Sequence, residues 1–102
     1  MGKKNPLIKQ LHAFKKAAAV STVILFGSRA TGKAGSYSDV DLIVVSPAFK
    51  GLSFRWRATK MYDYWTLPYP VDFLCYTPKE FNKFRKQATI VREAVEHGIE
   101  IN

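Results

Sequence analysis

Cysteine is nearly absent from this sequence: Cys75 is the only one in 102 residues. An intramolecular disulfide is excluded, and a cysteine-based zinc site lacks its ligands. A reducing, cytoplasmic setting is therefore expected. Long apolar runs are also missing. Ala17–Val20 and Leu42–Val45 are among the longest, far short of the roughly 20 residues that a membrane helix needs. The first 16 residues, MGKKNPLIKQLHAFKK, are basic but lack the apolar stretch of a signal peptide. Met1-Gly2 would suit a lipid anchor, but Pro6 stands where a Ser or Thr is required. No membrane association is expected. Repeats, low-complexity tracts and linkers are absent too, so residues 1–102 read as a single domain.

Negative charge is the scarcest commodity in the first third. No acidic residue precedes Asp39, whereas Lys3, Lys4, Lys9, Lys15, Lys16, Arg29 and Lys33 all do. The net charge of +8 creates a field that attracts polyanions: a nucleoside triphosphate, RNA or an acidic partner protein. A basic, soluble surface with no particular ligand explains the charge equally well.

What is present is a foldable pattern, with 47% hydrophobic and 14% aromatic residues. Asn5-Pro6 resembles a capped helix start, and Leu7, Leu11, Phe14 and Ala18 follow at helical spacing, predicting a helix over 6–19. Val23–Phe26 reads as a buried strand ending at Gly27, and Val40–Val45 as a second, closed by Pro47. Ser53 caps a predicted helix over 54–65, with Phe54, Ala58, Met61 and Trp65 on one face. Val71–Tyr76 is a third strand. Thr77-Pro78-Lys79-Glu80 is a capping box, with Tyr76 and Phe81 as its hydrophobic staple. The helix it opens runs toward Gly98, with a kink near 87–89, and Ile99–Ile101 is a short strand or coil. The expected class is α/β (α+β), a small mixed sheet flanked by helices.

Chemistry-bearing residues sit at the strand ends. Gly27 lets the backbone turn sharply and lets a ligand approach without a Cβ in the way. The following N–H groups and the Ser28 hydroxyl can face an anion, with Arg29 and Lys33 nearby. GSRATGKAGS is not a P-loop in register, and a simple strand-ending turn explains the Gly-Ser pair taken alone. Ten residues separate Ser28 from Asp39-Val40-Asp41. On a strand the two carboxylates share a face while Val40 points to the core. They repel each other, and each raises the other's pKa unless a cation lies between them. Taken in isolation, one aspartate could simply cap a turn and the other be solvated. Asp72 interrupts a third apolar strand, so three of the four aspartates lie in strand contexts that disfavour them. If the second and third strands are neighbours, Asp72 completes a carboxylate cluster suited to Mg²⁺ or Mn²⁺ rather than zinc.

The combination Gly27-Ser28, Asp39-Val40-Asp41 and a later strand Asp72 resembles the signature of the DNA polymerase β-type nucleotidyltransferase superfamily. FGSRATGKAGSYSDVDLIVV is similar in particular to the minimal nucleotidyltransferases of bacteria and archaea, often encoded beside an HEPN-domain protein. The likeness spans about residues 7–98. It implies a nucleotidyltransferase fold in which Asp39 and Asp41 bind two Mg²⁺ ions and Asp72 shares the catalytic one and aligns or deprotonates the attacking hydroxyl. Gly27 and Ser28 would hold the β- and γ-phosphates, with Arg29, Lys33 and Ser38 as further nucleotide contacts. Attack on the α-phosphorus would release pyrophosphate. Some members add AMP from ATP to a tyrosine of an HEPN toxin and so act as antitoxins. No added domain for a base or acceptor is expected beside this one, and a processive polymerase is therefore not expected. An acceptor surface shared with an HEPN protein or a second copy of this chain is expected instead.

Other readings stay open. The chain could inhibit a partner by contact alone, nucleotidylate a small molecule, or bind RNA through its basic face. Nucleic acid is not the favoured partner. Trp56, Tyr62, Tyr64, Trp65 and Tyr69, interleaved with Arg55, Arg57 and Lys60, could stack bases; helix packing and a partner surface explain them more simply. His12 and His97 read as surface or structural, and Cys75 as core.

Overall fold

A computed structural model describes residues 6–32 and 38–102. Helix α1 (Pro6–Ala18) presents Leu7, Leu11 and Phe14 to the interior, as the helical spacing predicts. It stops where Ala19 enters the left-handed region at φ 54°. Strand β1 (Thr22–Phe26), the one-turn helix α2 (Ser28–Thr31) and strand β2 (Val40–Val45) follow. A 3₁₀ turn at Pro47–Phe49, helix α3 (Phe54–Tyr62) and strand β3 (Val71–Tyr76) come next, then α4 (Pro78–Phe84), α5 (Ile90–His97) and β4 (Ile99–Ile101).

The four strands form one mixed sheet in the order β3-β2-β1-β4. β1 pairs antiparallel with both β2 and β4, whereas β2 and β3 are parallel. A parallel pair needs a crossover, and the 3₁₀ turn with α3 supplies it. Alternation along the strands sends Val23, Leu25, Val40, Leu42, Val44, Phe73 and Cys75 to one face, where they pack with residues of α1 and α3. Ile24, Ile43, Val45 and Tyr76 face the other way, against Phe81 of α4 and Val91 and Ala94 of α5. No helix among the described residues is long and apolar enough to cross a membrane.

Three expectations change. The helix predicted over 54–65 ends at Tyr62, because Tyr64 and Trp65 donate back to Met61 and Tyr62 in tight turns. Its buried face is Arg57 and Met61, while Phe54 is exposed. The long last helix is two helices rather than one kinked helix. Thr89 makes the break: its hydroxyl donates to the Phe84 carbonyl at 2.8 Å and accepts from the Arg92 N–H at 3.3 Å, ending α4 and capping α5. The capping box at Thr77 and Glu80 forms as expected. Gly98 does stop α5, but at φ −86° it needs no left-handed freedom. A Cβ there would run into the carbonyls of Ala94 and Leu25, so glycine is what lets α5 turn tightly into β4.

Candidate active site

β2 starts with a buried Val40, which leaves Asp41 half-buried on the α4/α5 face and Asp39 exposed just before the strand. The parallel register sets Asp41 beside Asp72, and the antiparallel register sets Phe26 on the other side of Asp41. A single row across the sheet therefore reads Phe26, Asp41, Asp72, at the end of β1 and the start of β2 and β3. The adjacency of the second and third strands, on which the carboxylate cluster depends, is present.

Asp41 carries the electrostatic load. Burial pushes its carboxyl above the usual aspartate value of 3.8, and the negative charges of Asp72 and then Asp39 push it further. Asp41 thus feels both other carboxylates. Among the described residues, no three His, Cys, Asp or Glu side chains stand close enough to hold one ion as they are placed. The donor set is nonetheless all oxygen, and a hard divalent cation would relieve the repulsion that lifts Asp41.

Gly27 closes the site from the side. Its φ of 76° and ψ of −158° lie in a region reserved for glycine. A Cβ there would strike the Asp41 carboxylate, with the Asp41 Cγ 3.3 Å away. The turn after β1 is thus bare backbone laid against Asp41. The Gly27 carbonyl accepts from the N–H groups of Ala30 and Thr31, and Ser28 begins α2. Gly27 also borders a cleft of about 430 Å³ lined by Phe26, Thr31, Glu93, Ala94, His97 and Gly98. We expect Gly27→Ala to lose about 1–3 kcal/mol of stability to backbone strain. It should also lose about 10²-fold in transfer rate by displacing Asp41. Thermal melts and single-turnover rates would check both.

The remaining nucleotide-contact expectations fall out as follows. Arg29 projects from α2 and its Nε donates to the Ser38 carbonyl at 2.9 Å. Its guanidinium carbon lies 4.5 Å from the centroid of the Tyr69 ring. Ser38 is half-buried immediately before Asp39. Lys33 lies outside the described residues.

Sequence reasoning missed how Asp72 is backed. Phe73, next to it on the opposite face, is gripped by Phe14, Tyr62 and Trp65, with ring centroids 5.6, 5.0 and 5.7 Å away. The Tyr62 hydroxyl donates to the Val71 carbonyl at 2.9 Å, and the Val40 N–H donates to the Pro70 carbonyl at 2.8 Å. The aromatic-rich stretch of the sequence is therefore partly a clamp on β3. Trp56 stays 62% exposed, so not all of it is core. Cys75 is fully buried, and burial pushes its thiol up to about 12, which leaves no thiolate for chemistry at neutral pH.

The sequence model of the nucleotidyltransferase domain matches residues 7–101. This chain belongs to the nucleotidyltransferase family. Its match therefore covers every residue of the Phe26–Asp41–Asp72 row and the Gly27-Ser28 turn. It is 33% identical over 81 residues to the "probable protein adenylyltransferase MntA" of Haemophilus influenzae, covering 78% of this chain and 71% of that protein. Its fold is similar to a crystal structure from Sulfolobus solfataricus assigned as a nucleotidyltransferase. The TM-score is 0.61 at 22% identity, over 81% of this chain and 84% of the other. The small mixed sheet is thus that of a nucleotidyltransferase domain.

Proposed function

We propose that this nucleotidyltransferase moves AMP from ATP onto a hydroxyl of a partner protein. One observation carries the reading: Asp41, raised by burial and by Asp72 and Asp39, stands in register with Asp72 against the bare Gly27 backbone. A half-buried carboxylate beside a second one and against a glycine turn suits a triphosphate that arrives with divalent cations. The likeness to a protein adenylyltransferase supports AMP as the group and protein as the acceptor.

In this reading Asp39, Asp41 and Asp72 hold Mg²⁺, with Mn²⁺ as a substitute. Bound Mg²⁺ supplies charge neutralisation for the triphosphate and the leaving pyrophosphate. Gly27 and Ser28 offer backbone N–H groups and a hydroxyl to the β- and γ-phosphates, which the missing Cβ lets in close. Asp72, at the outer end of the row, aligns the acceptor hydroxyl and takes its proton. A bond forms from that oxygen to the α-phosphorus as the bond to the β-phosphate oxygen breaks. An HEPN-domain protein is the proposed acceptor, silenced by the modification in an antitoxin role, with the active site exposed enough to be completed by that partner or by a second copy of the chain.

Incubation with Mg²⁺, ATP and an HEPN protein encoded beside this chain should add one nucleoside monophosphate to the partner, read by intact mass. Asp39→Ala should remove both the added mass and the neutralisation of the partner. Neutralisation that survives Asp39→Ala without added mass would instead establish inhibition by contact, and the transfer reading would fall.

A further inference from the structure

We propose that Arg29 is a positioning residue that locks the segment carrying Asp39 and the loop leading to Asp72 onto the Gly27-Ser28 turn. The inference rests on the reading of Asp39, Asp41 and Asp72 as the transfer site. It departs from the expectation that Arg29 binds nucleotide.

Three pieces of chain must keep register for that site to work: α2 behind the glycine turn, the peptide before Asp39, and residues 69–72. One guanidinium joins all three. Arg29 belongs to α2, its Nε donates to the carbonyl of Ser38, the residue joined to Asp39, and its planar group lies over the ring of Tyr69, three residues before Asp72. Tyr69 is itself fixed, because its carbonyl accepts from Trp65 Nε1 at 2.9 Å. The Trp65 ring in turn meets Phe14 at 5.5 Å and Phe73 at 5.7 Å between centroids. The brace therefore runs from the catalytic turn through Arg29, Tyr69 and Trp65 into the core under α1.

Such a brace has a reason to exist. Asp39 lies one residue outside β2, so the sheet ladder that holds Asp41 does not extend to it. A residue outside the ladder keeps its place only if something else holds its backbone. Arginine suits the task and lysine does not, because a planar fork can donate in its plane and stack on a ring at the same time. An ammonium group would have to choose one of the two contacts.

The test compares Arg29→Ala, Arg29→Lys, Tyr69→Leu and Tyr69→Phe in the full chain. Hydrogen exchange at the amides of residues 38–41 is the readout that does not depend on activity. We expect exchange there to quicken about tenfold in Arg29→Ala, Arg29→Lys and Tyr69→Leu. Tyr69→Phe, which keeps the ring, should restore the protection that Tyr69→Leu loses. In transfer assays the first three should lower kcat by roughly 10²-fold while KM for ATP stays within about threefold. Unchanged exchange would overturn the proposal. So would a rise in KM with kcat intact that Arg29→Lys repairs, which is the signature of a phosphate ligand. If the wild-type chain transfers no nucleotide to any acceptor, the functional reading fails while the exchange result still decides the brace.

Discussion

Asp41→Asn is expected to abolish nucleotide transfer and to raise the melting temperature. The loss should reach about 10³-fold or more if, as proposed, this carboxylate holds Mg²⁺, because such a ligand contributes several kcal/mol in a reaction that works by charge neutralisation. The gain follows from the sign of the pKa shift. Asp41's carboxyl is raised above 3.8 by burial, Asp72 and Asp39, in that order. The folded state therefore binds this proton more tightly than the unfolded state, and stability falls as pH rises from 3.8 through the folded value. At neutral pH the ionised group is a net cost, which the isosteric amide removes. We expect the variant to melt up to about 5 °C higher at pH 7, a difference that closes as the pH approaches 3.8. Added Mg²⁺ should raise the melting temperature of the wild type and leave the variant unmoved. A variant that melts lower at pH 7, or that responds to Mg²⁺ as the wild type does, would show that the carboxylates are not poised for a cation.

That prediction needs the register between β2 and β3, which no local pattern encodes. The strand bounds 40–45 and 71–76 were legible because each is an apolar run closed by a breaker, Pro47 on one side and Pro78 shortly beyond the other. The parallel pairing that sets Asp41 beside Asp72 depends on a crossover through α3, a non-local event that sequence could state only as a condition. Gly27 was legible as a turn and a close approach; that its missing Cβ makes room for Asp41 was not. Arg29 read as a positive charge near a phosphate cradle, since sequence shows a charge and hides the ring and carbonyl that hold it. Arg57, which the sequence shows only beside Arg55 and Lys60 among the aromatics, is buried at 6% relative exposure. A helix-face count assigns positions by residue class, and arginine is rarely interior unless paired. Its partner lies 23 residues away in sequence.

Glu80→Ala should therefore be strongly damaging although it lies apart from the Phe26–Asp41–Asp72 row. Arg57 donates to Glu80 Oε1 at 2.6 Å and to Oε2 at 3.3 Å, and also to the carbonyls of Leu52 and Cys75 at 2.8 and 3.2 Å. The pair pins α3 and β3 to the first turn of α4. Removing Glu80 leaves a buried guanidinium without its counter-charge, and because the Glu80 side chain is 35% exposed the loss is discounted for screening to about 2–3 kcal/mol. It also opens the capping box, in which Glu80 Oε1 accepts from the Thr77 N–H at 2.8 Å. A fall in melting temperature of at least about 8 °C is expected for a domain of this size. Glu80→Gln, which keeps the cap acceptor but not the charge, should fall between the two. The pH dependence separates the charge from the cap. Hydrogen bonding from Arg57, above all, holds the Glu80 carboxyl below its usual 4.5. Stability from the pair is thus fully present above pH 4.5 and lost as the pH falls through the lower folded value. Wild type should lose stability across that acid window more steeply than Glu80→Gln, whose amide does not titrate. Parallel acid melts of the two proteins would show the pair to be a minor contact if their slopes coincide.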